Sequence, residues 1–365
     1  MKSFTEHRTS GDKISSVNAI PVGDRRIGEN EPTFVIAEAA CNHMCRLDLA
    51  IKMIDEACEA GADAIKFQTY KAEKLVTDTA VAFWGDEEIS QLEYYKRLDR
   101  FGKKEYDELF KYARERGIIG FSSPFDAESV DMLAEISMPV FKIASCEIPN
   151  LKFLEYVAKQ GKPIILSTGA STIDEINRAI ETIFEQGNQQ LMLMACTLSY
   201  PTKNENANLL RVRTLREHYS DFIIGVSDHT EPDPYMVIPS VAVALGAKII
   251  EKHYTLDRSM TGSGHFFAMD PADLKRMVQN VRLTEQVLGD GSLGVAKSEE
   301  KAWSSARRSI VADVAIKKGD ILSSEMISLK RPADGLTPDM IDQIIGKRVK
   351  HDVKADQKIT LEMFE

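Results

Sequence analysis

GADAIKFQTY, at residues 61–70, is the stretch that decides the fold class. It opens on a glycine, where an amphipathic helix at 47–62 is predicted to end, because apolar residues recur there at i, i+3 and i+4. It continues into a short β-rich run in which Lys66 and Gln68 lie two positions apart, and so on one face of a strand. A helix that leads directly into a strand is the repeating unit of an α/β protein.

This alternation recurs along the chain. A helical pattern follows short apolar runs at Phe34–Ala39, Ala64–Gln68, Ile118–Ser122, Val140–Ala144, Pro163–Ser167, Leu191–Cys196, Phe222–Ser227 and Lys248–His253. Eight strands alternating with helices over about 250 residues predict an α/β fold of the (β/α)8 TIM-barrel type. A doubly wound open sheet is the alternative, and it is disfavoured because no glycine-rich dinucleotide turn follows the first run.

The pattern changes after Gly289, which predicts a second, smaller unit. Within that unit KKGDILSSEMI at 317–327 resembles KADQKITLEMF at 354–364, a weak internal repeat. A further segment, 70–102, is longer than an ordinary βα loop and is expected to cover the barrel mouth. The predicted organisation is an N-terminal extension at 1–33, a barrel at 34–289, a linker at 290–306 and a small β-rich domain at 307–365.

Composition and charge exclude several classes of protein. The chain has 365 residues and a net charge of −10, which argues against a nucleic-acid or membrane surface. The N-terminus is polar, without the apolar core of a signal peptide, and the most apolar stretch falls short of the roughly 18 residues of a membrane helix. The 5 cysteines lack paired spacing, as expected in a reducing compartment. We therefore expect a cytoplasmic protein.

Polar side chains gather where the predicted strands end, which is where TIM barrels carry their active sites. Lys66 and Lys142 lie within apolar strands, where an unpaired charge is costly. One interpretation pairs these lysines with carboxylates, for which the candidates are Glu38, Glu147, Asp228 and Glu251. Another makes them an anion pocket for phosphate and carboxylate groups, together with Ser and Gln donors. A Schiff-base lysine is a third, minor interpretation.

Two histidines suggest a metal site. His229 and His253 end the seventh and eighth predicted strands, which are neighbours, so both imidazoles could reach one ion. His43 follows the first strand, where it would orient substrate or be solvated.

Taken in order, these segments resemble one enzyme family. IAEAACNH, GADAIKFQTY, FSSPFD, FKIASCEI, ILSTGAST, ACTLSYP, GVSDHT and GAKIIEKHYTLDR are similar to segments of the sialic acid synthase family. ARRSIVA, KKGD and LKRPADG resemble that family's antifreeze-like (SAF) domain. The resemblance implies a TIM barrel followed by a SAF domain. It also implies a transferase that condenses phosphoenolpyruvate with an amino sugar to a nine-carbon keto acid, releasing phosphate by C–O cleavage.

The resemblance also implies roles for individual residues. His229 and His253 would bind a divalent metal, Mn²⁺ or Mg²⁺, and the catalytic groups would be Glu38, Glu147 and Lys142. The substrate-binding residues would be Lys66, Gln68, Ser123, Ser145, Ser167, Thr197, Tyr200 and Ser227. Arg331 would reach the neighbouring subunit of a domain-swapped homodimer and contact the N-acyl group of the sugar.

Two departures from the family pattern leave the acceptor sugar open. NHMC replaces NHNG at Asn42–Cys45, and GSG replaces GPD at Gly262–Gly264, which removes a carboxylate from the acceptor site. The acceptor is then N-acetylmannosamine or a 2,4-diacetamido-6-deoxy hexose, giving sialic, legionaminic or pseudaminic acid. Phe266 and Phe267 would suit a deoxy methyl group or simply pack the loop. The alternative functions are another phosphoenolpyruvate-dependent 3-deoxy sugar acid synthase and a non-catalytic sugar-binding barrel.

Overall fold

The computed structural model describes residues 19–84 and 90–365. The predicted N-terminal extension lies partly outside this range, since residues 1–18 are not described. Its described part forms an antiparallel hairpin of β1 (Ala19–Val22) and β2 (Arg25–Gly28). The chain divides into one unit that ends at Gly289 and a second that begins at Asp290.

The first unit is built on a closed parallel barrel, which confirms the predicted fold class. Its strands are β3 (Phe34–Ala40), β4 (Ala64–Thr69), β5 (Ile119–Pro124), β6 (Phe141–Ile143), β7 (Ile164–Ser167), β8 (Leu191–Cys196), β9 (Ile223–Asp228) and β10 (Ile249–His253). Closure comes from β10, which pairs with β3 from Ile249↔Phe34 to His253↔Glu38. The doubly wound alternative is therefore wrong, because an open sheet would leave these two strands as edges.

The helices of the barrel unit begin and end at the expected local signals. They are α1 (Leu47–Ala60), α2 (Ala72–Leu75), α3 (Gln91–Lys96), α4 (Lys103–Arg116), α5 (Ala127–Glu135), α6 (Leu151–Ala158), α7 (Ile173–Glu185), α8 (Leu210–His218), α9 (Val237–Ala244) and α10 (Pro271–Leu288). Helix α1 stops at Gly61, which has a left-handed φ of 85°. Thr172 and Glu175 form a capping box at the start of α7. Helix α10 has Asp270 as its N-cap and proline in its first turn.

The C-terminal unit has a core of its own. It contains α11 (Glu300–Ala306), β11 (Ser309–Ala312), β12 (Ile327–Lys330) and α12 (Ile341–Ile344). Ile310, Leu322 and Phe364 are buried together in it. The two copies of the internal repeat both place a 3₁₀ turn at their Glu-Met pair, at Ser324–Met326 and Leu361–Met363. Across the described residues of both units, no helix is long and apolar enough to cross a membrane.

The contact between β9 and β10 depends on a glycine. A Cβ built on Gly225 would lie 2.6 Å from Ile249 Cβ and 2.8 Å from the Ile249 carbonyl oxygen. Neither atom can move without shifting a barrel strand, so this position tolerates no side chain.

We predict that Gly225→Ala lowers the free energy of unfolding by about 1–3 kcal/mol, because it overpacks the barrel wall. Denaturant unfolding measures this change. Gly294→Ala is the control, since a Cβ there meets nothing within 4 Å. Equal stability of the two variants would contradict the close approach of β9 and β10.

Candidate active site at the carboxyl end of the barrel

A cavity of about 460 Å³ opens in the barrel unit where the parallel strands end. Most of the predicted site residues line it together, namely Glu38, Lys66, Gln68, Ser123, Lys142, Ser145, Glu147, Ser167, Tyr200, Ser227, His229 and His253. They come from strands all around the barrel or from the residues that directly follow those strands. The volume is in the range of small-molecule sites in proteins.

Two predicted residues lie elsewhere. Thr197 is outside the cavity lining: its hydroxyl donates to the Asn206 carbonyl oxygen at 3.1 Å, and its own carbonyl oxygen lies 2.8 Å from His229 Nδ1. Thr197 therefore acts on the site through the contact between its carbonyl oxygen and His229 Nδ1. Arg331 belongs to the C-terminal unit, where its side chain is exposed.

The floor of the cavity is a buried cluster of charges centred on Glu251. Lys66 Nζ lies 3.7 Å from Glu251 Oε2, and Lys142 Nζ lies 3.5 Å from Glu251 Oε1. Lys66 also pairs with Glu38 at 2.7 Å, and Ser227 donates to Glu251 at 2.8 Å. The lysines thus have carboxylate partners, as the first interpretation expects, and they also line an open cavity, which is where the second interpretation places an anion.

Burial and pairing act in opposite directions on these groups. Burial raises the pKa of Glu38 to about 7 although Lys66 beside it favours the carboxylate. The pKa of Lys142 is lowered, by burial first and by the like charge of Lys66. Burial raises the pKa of Glu251 as well, but the positive charges of Lys142 and Lys66 outweigh this effect of burial. The pKa of Glu251 is therefore lowered. Lys142 is the less well compensated cation, and an anion in the cavity would stabilise its charge.

Glu251 is the residue that sequence reasoning left out of the site. The sequence identifies it only as one of four candidate carboxylate partners of the lysines, whereas the structure places it at the centre of the cluster. The available signal was its position two residues before His253, which places both side chains on one face of β10.

The long segment after β4 supplies an aromatic wall of the cavity, and the sequence analysis does not identify its individual rings as site residues. Phe83, Trp84, Tyr94 and Tyr95 line the cavity, in agreement with the expectation that 70–102 covers the mouth. Residues 85–89 of this segment lie outside the described residues. Of the aromatic pair that follows β10, Phe267 lines the cavity, while Phe266 is exposed and not in its lining.

His229 and His253 lie close enough to act together. Their ring centroids are 5.4 Å apart. His229 Nδ1 faces the Thr197 carbonyl oxygen, which makes this nitrogen the donor and, in the neutral ring, leaves the lone pair on Nε2. His253 Nδ1 is buried without a hydrogen-bond partner. Burial lowers the pKa of His253 well below its ordinary value, so this imidazole is neutral, as a metal ligand must be.

The donor set fits a divalent ion held partly by substrate. Among the described residues no group of three or more His, Cys, Asp or Glu side chains could hold a metal alone. Two imidazoles beside an open cavity supply two nitrogen ligands, and an ion held there would take its remaining ligands from water or substrate oxygens.

Glu147 is another carboxylate of the cavity that is held by hydrogen bonds. Its Oε2 accepts from Asn150 Nδ2 at 2.8 Å, and the Cys146 thiol lies 3.9 Å from Oε1. Burial raises its pKa. Nearby, Ser145 Oγ accepts from the Gly169 backbone N–H at 2.9 Å, and the hydroxyl of Ser167 is buried without a partner.

Two other buried polar residues have structural roles. His43 stacks on Phe101 with ring centroids 4.5 Å apart, and burial lowers its pKa to about 3. It does not line the cavity. Lys252 points away from the cavity, where it pairs with Asp228 at 2.8 Å and with Thr230.

We predict that Lys252→Met lowers the free energy of unfolding by about 3–5 kcal/mol, because it leaves the buried Asp228 carboxylate without its partner. Guanidinium unfolding provides the measurement. Lys248→Met is the matched control, since Lys248 precedes the same strand, is only half-buried, and contacts a carbonyl oxygen at 3.4 Å. A loss below 1 kcal/mol for Lys252→Met would refute the structural role of this lysine.

Comparison with known proteins finds a matching family and related synthases. The model of the NeuB family matches residues 53–293, and that of the SAF domain matches residues 307–365. N,N'-diacetyllegionaminic acid synthase of Campylobacter jejuni is 38% identical over 335 residues, covering 90% of this chain and 98% of that protein. Human N-acetylneuraminate-9-phosphate synthase is 33% identical over 349 residues, covering 93% and 95%. The crystal structure of N-acetylneuraminic acid synthetase from Leptospira borgpetersenii, in complex with citrate, aligns with a TM-score of 0.71 at 38% identity, covering 78% of this chain and 94% of that one.

Proposed function

This chain belongs to the NeuB family of synthases and ends in a SAF domain, and we propose that it condenses phosphoenolpyruvate with an N-acylated amino sugar aldehyde to a nine-carbon 2-keto acid. The observation that supports this most directly is the buried Lys66–Glu251–Lys142 cluster on the floor of the cavity. An enzyme that binds a substrate with both a phosphate and a carboxylate needs such cations, held ready and desolvated.

Phosphoenolpyruvate would bind at the cluster. The ammonium groups of Lys142 and Lys66 would pair with its phosphate and carboxylate groups. The neutral donors around them are the hydroxyls of Ser123, Ser145 and Ser167 and the amide of Gln68. Ser227, whose hydroxyl donates to Glu251 in the structure, would have to turn that proton toward the bound anion. The unpartnered hydroxyl of Ser167 is suited to this role, because a bound anion would satisfy it.

His229 and His253 would hold a divalent ion, Mn²⁺ or Mg²⁺, beside this anion. When bound, the ion would supply Lewis acidity toward the aldehyde oxygen of the acceptor sugar. Thr197 orients His229 through its carbonyl oxygen, and Tyr200 packs its ring 4.3 Å from the same imidazole. These contacts fix the His229 imidazole before substrate arrives.

The reaction joins C3 of phosphoenolpyruvate to the aldehyde carbon, and the aldehyde oxygen takes up a proton as it becomes a hydroxyl. Water adds its oxygen to C2 and gives up its protons, and phosphate leaves with the bridging oxygen as the C–O bond breaks. Glu38, with a pKa near 7, is available both as acid and as carboxylate at neutral pH. Glu147 is held toward the cavity by Asn150 and is the second group that could position the water or accept its proton.

The C-terminal unit would complete the site in a homodimer. Arg331 is exposed in its own unit and would reach the cavity of the partner subunit, where it would contact the N-acyl group of the sugar. A cytoplasmic location suits this chemistry, since phosphoenolpyruvate is a cytoplasmic metabolite.

The direct test is phosphate release. Protein incubated with phosphoenolpyruvate and Mn²⁺ should release phosphate when an N-acylated amino sugar is present, and mass spectrometry should find the nine-carbon acid. Chelation should abolish the release, and added Mn²⁺ should restore it. No release with any N-acylated aldose at any added metal would favour a non-catalytic sugar-binding barrel instead.

We predict that His253→Ala lowers metal-dependent kcat at least 100-fold while the circular dichroism spectrum is unchanged, because it removes one of two imidazole ligands. His218→Ala, on helix α8 and outside the cavity, is the control. Full activity of His253→Ala after chelation would show that the reaction needs no metal at His229 and His253.

We predict that Arg331→Ala raises KM for the sugar at least 10-fold and changes KM for phosphoenolpyruvate less than twofold, because the guanidinium meets only the acceptor. Steady-state kinetics with each substrate varied in turn measures this. Light scattering must show a dimer, and an active monomer would rule out the contribution in trans.

A further inference from the structure

A buried network of hydrogen bonds lies behind His229, on the outer face of the barrel wall. Side chains alternate along a strand, so Glu251 and His253 line the cavity, whereas Lys252 between them points outward. On β9 the outward residue is Asp228, which stands opposite Lys252 in the register. The two side chains form an ion pair of 2.8 Å, and both residues are buried.

Thr230 joins this ion pair to the backbone around His229. The backbone N–H and the hydroxyl of Thr230 both donate to Asp228 Oδ1, at 2.9 and 2.8 Å. Asp228 and Thr230 are the residues on either side of His229, so these bonds close a turn with His229 at its centre. We call Asp228, Thr230 and Lys252 the outer brace.

The three N–H groups of the Lys252 ammonium all have acceptors in the outer brace. These acceptors are Asp228 Oδ2, the Thr230 hydroxyl at 3.0 Å and the Thr230 carbonyl oxygen. A lysine that only neutralised Asp228 would need the first of these contacts alone. The other two contacts hold the residue that follows His229, so the outer brace acts directly on the backbone that carries the imidazole.

His229 is also held from the side of β8. Its carbonyl oxygen accepts from the Thr202 backbone N–H at 2.8 Å, and its Nδ1 lies 2.8 Å from the Thr197 carbonyl oxygen. Thr202 and Thr230 face each other in an isolated β-bridge. Because the ring contact depends on where the backbone lies, a change in the turn would move the imidazole away from the Thr197 carbonyl oxygen.

Stability alone is a poor explanation of a buried ion pair of this kind. Taking two charges out of water costs several kcal/mol per ion, and well-packed apolar residues of similar size are often at least as stable. What the charged pair adds is direction, since its hydrogen bonds allow one arrangement of the turn. That arrangement is the one in which His229 faces the cavity.

We propose that the outer brace positions His229 for binding of a divalent ion. This inference rests on the proposed function, in which His229 and His253 hold that ion. Asp228, Thr230 and Lys252 are absent from the cavity lining, so they are positioning residues that act through His229. Loss of a contact behind a metal ligand weakens metal binding by about 10–100-fold.

The test is Mn²⁺ binding to Thr230→Val, which keeps the shape of the side chain and removes its hydroxyl. Mn²⁺ is titrated into the full chain at saturating phosphoenolpyruvate, and the free ion is measured by electron paramagnetic resonance against a protein-free blank. We expect a Kd for Mn²⁺ about 10-fold or more above that of the wild type. Thr230→Ser, which retains the hydroxyl, should bind Mn²⁺ within twofold of the wild type. At saturating Mn²⁺, KM for phosphoenolpyruvate should change less than twofold in Thr230→Val.

Thr69→Val is the matched control. Thr69 is also a buried threonine at the carboxyl end of a barrel strand, its hydroxyl lies 2.7 Å from that of Ser122, and it is outside the cavity lining. Thr69→Val loses a buried hydroxyl as Thr230→Val does, yet it should bind Mn²⁺ as the wild type does. A second variant, Asp228→Asn, keeps the shape of the side chain and removes the charge that Lys252 pairs with. It should raise the Kd for Mn²⁺ at least fivefold.

The possible outcomes separate this inference from the proposed function. Circular dichroism shows whether each variant is folded, and Asp228→Asn decides the question if Thr230→Val is not. Mn²⁺ binding as tight as that of the wild type in a folded variant of either kind would show that the outer brace serves the fold alone, and the proposed function would stand. If the wild type binds no Mn²⁺ under these conditions, the metal site of the proposed function is wrong, and this inference fails with it.

Discussion

The placement of Glu251 between two buried lysines is the interaction on which the rest of the site depends. Each lysine stands within an apolar strand, where its charge would be costly alone. Glu251 contacts both, and it is in turn held by the Ser227 hydroxyl. The cluster can therefore exist without ligand, and Lys142, which shares Glu251 with Lys66, is left incompletely compensated.

Barrel closure brings this cluster together. Glu251 and His253 are on β10, which pairs on one side with β9 and on the other with β3. Register places His253 opposite Glu38, and Glu38 in turn opposite Lys66 on β4. The candidate metal ligand His253 and the central carboxylate Glu251 thus share β10. A shift of one register position would therefore separate the candidate metal ligands from the lysines of the cluster.

The fold and most of the site could be predicted from the sequence because both depend on short periodic signals. Each strand is a buried apolar run, and polar residues at its carboxyl end meet at one rim in a closed barrel. What escaped prediction depends on contacts between distant segments. The central role of Glu251 requires knowing that Lys66 and Lys142 both reach it across the barrel. The hairpin of β1 and β2, and the packing of Phe83 on Tyr200, leave no periodic pattern in the sequence.

The central claim, that the lysine cluster binds the phosphoenolpyruvate anion, is tested most directly by calorimetric titration of phosphoenolpyruvate into the protein without sugar. We expect one binding site per chain, with an affinity that salt weakens, at least 30-fold weaker binding in Lys142→Met, and unchanged binding in Lys248→Met. Wild-type protein that binds no phosphoenolpyruvate, or Lys142→Met that binds it as tightly as the wild type, would contradict it.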